Sequence, residues 1–280
     1  MTEYQDFVKS RMNYIGASDA PIIMGVSPWK TLVQLWEDKL GLGPEQKDNY
    51  AMKRGRDLEP IARDAYVIET GHMVEPKMVV HPNIPYMMAN FDGITDDHQY
   101  AVEIKCPGEP DHLLAKEGIV PAKYMPQLQH QLAVIGVNEL HYFSYRLGSD
   151  TVLLTVKRDD AYIKRMLFEE KKFWKYVETL TSPPLSEKDY NKRNDVSWLM
   201  AATDWTKANE ELEELKSKEK EAREVLIQLS ENQNTIGQGV RLQRILRKGA
   251  VDYKAVPELK DVNLEPYRKD NIESWRIGKC

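Results

Sequence analysis

Three polar side chains at close spacing, Asp92, Glu103 and Lys105, are the residues of this chain best suited to act together in a reaction. Two carboxylates at close distance repel each other, and a single ammonium group does not neutralise both. A bound cation would supply the missing positive charge. Hard oxygen ligands suit Mg²⁺ or Mn²⁺, which bind one or two carboxylates together with phosphate oxygens. A neighbouring lysine can orient or deprotonate a water molecule. The set therefore predicts metal-assisted hydrolysis of a phosphodiester.

A β-hairpin is the element that would bring these side chains together. Residues 102–106 alternate apolar and polar, with Glu103 and Lys105 on one face, as expected for a half-buried strand. The polar turn at residues 95–99 separates this strand from an earlier one that contains Asp92. Closing the hairpin would place Asp92 beside the other two side chains. Taken alone, the same pattern also fits the solvent-facing side of an edge strand.

A helix is predicted over residues 56–71, upstream of the hairpin. Pro60 fits in the first turn of a helix that begins near Arg56, because first-turn N–H groups have no intrahelical partner. Glu59 then lies in that first turn, where it either complements the helix dipole or contacts the metal site. The apolar residues expected to face the core are Leu58, Ile61, Ala65 and Ile68.

Two further segments carry candidate binding residues. Ser18 has the pattern of a helix N-cap, whose free N–H groups either are simply capped or hold a phosphate. A second helix is predicted over residues 123–136, with Pro126 in its first turn. Its face carries Tyr124, Gln127 and Gln131, which either orient water, lysine or phosphate or form an exposed polar stripe.

Composition limits the classes of protein that the chain can belong to. The chain has 280 residues, an apolar share of 41% and a net charge of −5. That charge argues against indiscriminate binding to nucleic acid but not against a local site. Two distant cysteines predict neither a zinc site nor a disulfide framework. Without a membrane-spanning segment or a signal peptide, the expected location is the cytoplasm.

A change of composition after residues 181–184, Thr-Ser-Pro-Pro, predicts a domain boundary near Ser182. We expect residues 1–182 to form one domain and 183–280 a C-terminal extension. Residues 198–232 have the 3,4 apolar spacing of a helical arm that packs on the chain itself or on a neighbour. Short strands are expected in the region 237–280, around Lys248 and Gly249. Their arginines, Arg241, Arg244 and Arg247, either follow a phosphate backbone or form a solvated face.

Five segments in order resemble the YqaJ-like viral recombinases, the family of the phage lambda exonuclease within the PD-(D/E)XK nuclease superfamily. They are IGASDAPIIMGVSPWKT (15–31), GRDLEP (55–60), NFDG (90–93), VEIKCP (102–107) and YMPQLQHQ (124–131). The resemblance covers roughly residues 11–180. It implies an α/β (α+β) fold, a restriction-endonuclease-like core with a mixed central sheet flanked by helices.

The resemblance also implies residue roles. Asp92, Glu103 and the backbone carbonyl of Ile104 look like ligands of Mg²⁺, with Mn²⁺ as a substitute, and Lys105 looks like the residue that handles the water. Glu59 and Gln127 are similar to the family's helix-borne acid and motif glutamine. The residues that resemble the DNA and 5′-phosphate contacts are Arg11, Ser18, Asn90, Tyr124 and Gln131. At Asn90 the family commonly has serine.

The function implied is a Mg²⁺-dependent 5′→3′ exonuclease of phage-type homologous recombination, in the cytoplasm of a bacterial host. It would act on double-stranded DNA ends, release 5′-mononucleotides and leave 3′ single-stranded tails for a single-strand annealing protein. The family's ring implies a homo-oligomer, a trimer or a tetramer. Two alternatives stay open: a structure-specific endonuclease or resolvase on the same core, and a non-catalytic factor that binds DNA ends.

Overall fold

The computed structural model describes residues 12–44 and 49–247, together with residues 249, 256 and 262. The chain divides into two compact units, Met1–Asn191 and Lys192–Cys280. The division thus falls further along the chain than the boundary expected near Ser182. Within the described residues, no helix combines the length and the apolar character that crossing a bilayer requires.

The first unit is built on a six-stranded mixed sheet, which confirms the predicted fold class. Its strands are β1 (Ile15–Gly16), β2 (Glu75–Val80), β3 (Met87–Ile94), β4 (Ala101–Lys105), β5 (Glu139–Ser144) and β6 (Val152–Lys157). The order is β1-β3-β4-β5-β6, and β2 pairs with the other edge of β3. The β1–β3 and β4–β5 pairs are parallel, whereas β2–β3, β3–β4 and β5–β6 are antiparallel. The predicted hairpin is therefore formed by β3 and β4.

Helices flank this sheet. They are α1 (Ala20–Ile23), α2 (Leu32–Leu40), α3 (Tyr50–Thr70), α4 (Glu109–Lys116), α5 (Met125–Ile135) and α6 (Asp160–Glu178). Val102 and Ile104 of β4 pack with Ala62 and Tyr66 of α3. Glu103, on the opposite face of the strand, is also buried. The predicted alternation of β4 is correct, but the strand is covered on both faces and not half-buried.

Helix α3 begins earlier than predicted. Asn49 caps it by accepting a hydrogen bond from the Met52 backbone N–H at 2.9 Å, so that the helix runs through Tyr50–Thr70. Pro60 therefore lies inside the helix, where one backbone hydrogen bond is lost, and Glu59 is not in the first turn. The expectation of a start near Arg56 was wrong because the upstream cap lets the helix extend through the proline.

The buried face of α3 also differs from the predicted one. Ala62 and Tyr66 are fully buried, whereas Ile61 and Ile68 are 50% and 85% exposed. The helix is rotated so that polar residues one turn from Ala62 and Tyr66 approach the sheet. Apolar periodicity missed this orientation because it assigns charged residues to the solvent side.

Helix α5 confirms the predicted helix with Pro126 in its first turn, and a 3₁₀ turn, Ala122–Tyr124, precedes it. Its polar residues do not form an exposed stripe. Gln129, His130 and Gln131 are buried, since the helix packs between the sheet and α6. Buried amide and imidazole groups require hydrogen-bond partners, and several of these partners belong to the candidate site described below.

One such pair joins α5 to α6 and β3. His130 donates from Nδ1 to Glu170 Oε1 at 2.7 Å and from Nε2 to the Met88 carbonyl at 2.9 Å. Burial by itself lowers the pKa of His130, but the Glu170 carboxylate outweighs burial and the pKa is raised. Both ring nitrogens face oxygen acceptors, and the raised pKa favours the protonated imidazole in this buried pair.

The second unit contains helix α7 (Val196–Leu229), capped by Asp195, and a small hairpin of β7 (Thr235–Gly237) and β8 (Val240–Leu242). Gln238 and Gly239 form its turn with φ values of 48° and 76°, the left-handed pair that suits a two-residue hairpin. The predicted strands around Lys248 and Gly249 fall partly outside the described residues, and residues 243–247 before them form no strand. The sequence pattern did not reveal that Gln238 adopts a positive φ.

Replacing His130 with alanine is expected to lower the free energy of unfolding by about 3–5 kcal/mol. The substitution leaves Glu170 as an unpaired buried carboxylate and removes the donor to Met88. Urea denaturation followed by circular dichroism measures the loss.

Lys172→Ala is the matched control, because its ion pair with Glu169 at 3.5 Å is exposed and on the same helix as Glu170. We expect that control to change stability by less than about 1 kcal/mol. The loss in His130→Ala should shrink as the pH rises above roughly 6.5 and through the raised pKa, because the ion pair is then lost in the parent as well. A loss that does not depend on pH would contradict a charged His130.

Candidate active site

A gap along one edge of β3 forms the framework of the candidate site. β1 pairs with Met87 and Met88 at one end of this edge, and β4 pairs with Gly93 and Ile94 at the other. Within the described chain, residues 89–92 have no strand partner on this edge. β3 and β4 separate at the point where Asp92 and Glu103 stand on adjacent strands.

Side chains replace strand hydrogen bonds in this gap. Asp92 Oδ2 accepts from the Ile104 backbone N–H at 2.8 Å, across the opening between β3 and β4. The Asp92 carbonyl accepts from Arg63 Nε at 2.6 Å, and the Asn90 carbonyl accepts from Gln131 Nε2 at 3.4 Å. Three backbone groups at the opening, the Ile104 N–H and the Asn90 and Asp92 carbonyls, are therefore paired with side chains.

Glu103 is 2% exposed and is held by three donors. Its Oε1 accepts from Lys105 Nζ and from Gln127 Nε2, the latter at 2.5 Å, and its Oε2 accepts from Gln131 Nε2. A buried carboxylate requires such hydrogen bonds and a countercharge. Gln131 Oε1 remains buried without a hydrogen bond within the described residues, because the amide is oriented toward Glu103.

Lys105 supplies the positive charge of the site. Its ammonium nitrogen contacts Glu103 and lies 5.3 Å from the centroid of the Tyr124 ring. Burial by itself lowers the pKa of Lys105, but the Glu103 and Asp92 carboxylates outweigh burial and the pKa is raised. The side chain is thus a positive centre between two carboxylates and an aromatic face.

The pKa of Asp92 is shifted in favour of its uncharged form, whereas the pKa of Lys105 is shifted in favour of its charged form. The Asp92 pKa is raised well above its usual value, first by burial and then by the negative charge of Glu103. The Lys105 ammonium and the Ile104 N–H act in the other direction but do not compensate. A carboxylate in this position is stabilised by a cation, and Oδ1 accepts no hydrogen bond within the described residues.

The donor set fits a hard divalent cation. No group of three or more histidine, cysteine, aspartate or glutamate side chains in the described chain is arranged to hold a metal ion. Zinc centres use such groups, whereas Mg²⁺ takes one or two carboxylates and fills its remaining positions with water and phosphate oxygens. Asp92 and Glu103 supply that sparser set.

Glu59 lies behind Asp92 in this arrangement. It forms an ion pair with Arg63 at 2.6 Å, one turn along α3, and Arg63 in turn donates to the Asp92 carbonyl. Sequence analysis did not identify Arg63. The available signal was its spacing of four residues from Glu59, which places both side chains on one helical face.

The structure brings together most of the predicted site residues. Asp92, Glu103, Lys105, Gln127 and Gln131 share direct hydrogen bonds or their charges interact. Tyr124 contacts them through Lys105, while Asn90 contributes its carbonyl to Gln131.

Ser18, predicted to cap a helix and to contact the phosphate, has a different local structure. Ser18 is not an N-cap: it is an exposed residue inside the 3₁₀ turn Ala17–Asp19, for which Gly16 is the capping position. Asp19 has the structural role there, since its carboxylate accepts from the Gly16 N–H at 2.8 Å and pairs with Lys39 at 2.6 Å. Arg11 lies outside the described residues.

A cationic and aromatic surface adjoins the site and was not predicted. The Lys123 ammonium lies 5.2 Å from the ring centroids of both Tyr124 and Trp29, and it pairs with Asp111 at 2.6 Å. Trp29 is 65% exposed. Aromatic faces beside cations are the groups that single-stranded nucleic acid contacts.

Comparison with known proteins places this geometry in a family. Residues 6–138 match the model of the YqaJ-like viral recombinase domain. This part of the chain is therefore similar to that domain. The matched range includes the gap in β3 and every side chain that holds Glu103, and the resemblance inferred from the five motifs is confirmed.

Relatives of the YqaJ-like domain include one curated protein and an exonuclease of known structure. The uncharacterized protein YqaJ of Bacillus subtilis (strain 168) is 30% identical over 174 residues, which are 60% of this chain and only 54% of that protein. The alkaline exonuclease LHK-Exo of Laribacter hongkongensis is 29% identical, with a TM-score of 0.55, over 63% of this chain and 94% of that one. LHK-Exo in complex with dAMP gives 28% identity and the same TM-score.

Replacing Gln131 with leucine is expected to lower the free energy of unfolding by about 1.5–3 kcal/mol, because Glu103 Oε2 loses its donor inside the protein. Urea denaturation followed by circular dichroism measures the change.

Gln127→Leu is the matched control on the same helix. Gln127 shares Glu103 Oε1 with Lys105, so the charged partner of that oxygen remains after the substitution. We therefore expect a smaller loss for Gln127→Leu. Equal losses for the two variants would contradict the conclusion that Glu103 Oε2 depends on Gln131 while Oε1 keeps Lys105.

Proposed function

We propose that this chain is a metal-dependent deoxyribonuclease that hydrolyses phosphodiester bonds of double-stranded DNA from its ends. The observation that carries the proposal is the gap in β3, where Asp92 and Glu103 lie on adjacent strands and Lys105 contacts Glu103. The likeness to an alkaline exonuclease over 94% of its length supports the same class of reaction.

Asp92, Glu103 and the Ile104 carbonyl are the groups that would hold Mg²⁺, or Mn²⁺ as a substitute. One or two such ions would stabilise charge on the scissile phosphate and lower the pKa of the attacking water.

The chain's own residues position the reactants. Lys105 has ammonium N–H donors beyond the one bonded to Glu103, with which it would orient the attacking water. Gln127 and Gln131 fix the Glu103 carboxylate and so determine where a cation can bind. Glu59 acts through Arg63, which holds the Asp92 backbone, and is in this proposal a positioning residue.

We propose a 5′→3′ direction, release of 5′-mononucleotides and a 3′ single-stranded product for a single-strand annealing protein. The complex of LHK-Exo with dAMP, itself a mononucleotide, supports this class of product. The terminal phosphate is assigned to Arg11, Ser18 and Asn90, and the departing strand to Tyr124 and the surface formed by Lys123 and Trp29. A homo-oligomeric ring, a trimer or a tetramer, would enclose the duplex in the cytoplasm of a bacterial host.

Replacing Asp92 with asparagine is expected to reduce nuclease activity by at least about 10²–10³-fold, since a metal site contributes several kcal/mol to transition-state stabilisation. EDTA should abolish the activity of the parent chain, Mg²⁺ or Mn²⁺ should restore it, and Ca²⁺ should inhibit because it enforces different coordination. Release of acid-soluble nucleotides from linear duplex DNA is the measurement.

Asp96→Asn, on the exposed turn of the same hairpin, is the matched control and should retain full activity. Lys105→Ala should lose nuclease activity as Asp92→Asn does. Digestion that persists in both variants would mean that Asp92 and Lys105 do not form the catalytic site.

Duplexes labelled at one 5′ or one 3′ end test the direction and the mode of cleavage. Label at a 5′ end should appear first as mononucleotide, while label at the 3′ end should stay in long strands. A closed circular duplex should remain intact because it offers no end. Loss of the circle would instead indicate a structure-specific endonuclease, and binding of ends without cleavage would indicate a non-catalytic factor.

A further inference from the structure

Helix α7 has no buried residue along its 34 positions, although it carries many large apolar side chains. Leu215 and Leu229, for example, are 62% and 74% exposed. Helices of globular proteins gain most of their stability by packing an apolar face. An apolar stripe of this length that faces water indicates a missing partner surface.

The stripe follows a heptad repeat from one end of α7 to the other. Spacings of three and four residues alternate without interruption, and all positions but one are apolar. The positions are Trp198, Ala201, Trp205, Ala208, Leu212, Leu215, Glu219, Ala222, Leu226 and Leu229. Such a repeat, sustained over more than four heptads, is the signature of a coiled coil.

We propose that a second copy of this chain covers the stripe, and that the two α7 helices pair in antiparallel orientation. The twofold axis passes between Glu213 and Glu214, close to the middle of the helix, so that the helices overlap over their whole length. This pairing does not rest on the chemistry proposed for Asp92 and Glu103, and it is a contact between two copies that is additional to the contacts within the proposed ring.

The sizes of the side chains favour this register. In an antiparallel pair, each first-position residue of a heptad faces a fourth-position residue of the other helix. The layers become Trp198 with Leu229, Ala201 with Leu226, Trp205 with Ala222, Ala208 with Glu219, and Leu212 with Leu215. Every alanine then faces a large side chain. In a parallel pair, alanine would face alanine and tryptophan would face tryptophan, which leaves voids beside crowded layers.

The charges favour the same orientation. Glu211 and Lys218 flank the stripe, and the antiparallel register places Glu211 of each copy beside Lys218 of the other. Glu219 faces Ala208 and can keep its pair with Arg223 at 2.6 Å. In a parallel pair, Glu219 would face itself and Lys218 would lie beside Arg223, both of which are repulsive.

A disulfide test distinguishes the two orientations. In the full chain with Cys106 and Cys280 changed to serine, Ala201→Cys and Leu226→Cys are prepared separately, mixed and oxidised. The mixture should give a dimer with a linkage between positions 201 and 226 of different copies, identified by mass spectrometry. Each variant alone should give none, because positions 201 of the two copies lie about 37 Å apart along the helix axis.

Charge reversals test the contacts while they preserve the helix. Lys218→Glu should weaken dimerisation about tenfold, since two attractive contacts become repulsive. The double variant Glu211→Lys with Lys218→Glu should restore it. Glu214→Lys breaks the same intrahelical pair, Glu214 with Lys218 at 2.6 Å, on the outer face and should leave dimerisation unchanged. Analytical ultracentrifugation over a range of concentrations measures these effects.

Two results would overturn the proposal. A disulfide dimer from Ala201→Cys alone would mean a parallel pair. Absence of the mixed linkage at every protein concentration would mean that another segment of this chain, or a different protein, covers α7.

Discussion

A buried carboxylate, Glu103, is the constraint on which the rest of the candidate site depends. Because Glu103 is 2% exposed, water cannot stabilise its charge, and hydrogen-bond donors of the protein must do so from fixed positions. Lys105 does so from the same strand, and Gln127 and Gln131 do so from two turns of α5. The position of α5 against the sheet is thereby tied to the chemistry.

The same constraint explains why α5 is polar yet buried. A helix that must hold a carboxylate from one face also needs anchors on its other faces. His130 supplies one through Glu170 and the Met88 carbonyl. Gln129 supplies another, since it donates to the Lys157 carbonyl and accepts from the Asp159 N–H. Polar contacts are directional, so they fix the rotation of α5 more tightly than apolar packing would.

The gap in β3 is the second consequence of building a site inside a sheet. Backbone groups at the gap remain paired, through Asp92 with Ile104 and through Arg63 with Asp92. Side-chain contacts therefore satisfy these backbone groups at the point where the two strands separate, beside Asp92 and Glu103. The charged side chains Asp92 and Glu103 therefore lie where hydrogen bonds from neighbouring residues fix their positions, as a preorganised site requires.

Sequence alone determined the residue types of the site and the hairpin that carries them. The alternation around Glu103 and Lys105, the polar turn before it and Pro126 in the first turn of α5 are local signals, and the structure retains each of them. Five motifs in order also indicated the family and with it the mixed sheet. These features depend on short-range periodicity, backbone sterics and ancestry.

Tertiary structure alone decided which faces are buried and which residues stand behind the site. The buried face of α3 passes through Ala62 and Tyr66 and leaves Ile61 and Ile68 exposed, which the apolar spacing did not predict. Gln131 is buried because Glu103 needs a donor from the opposite layer. Such outcomes depend on partners distant in the chain, and neither propensity nor periodicity records which distant charge a polar residue will meet.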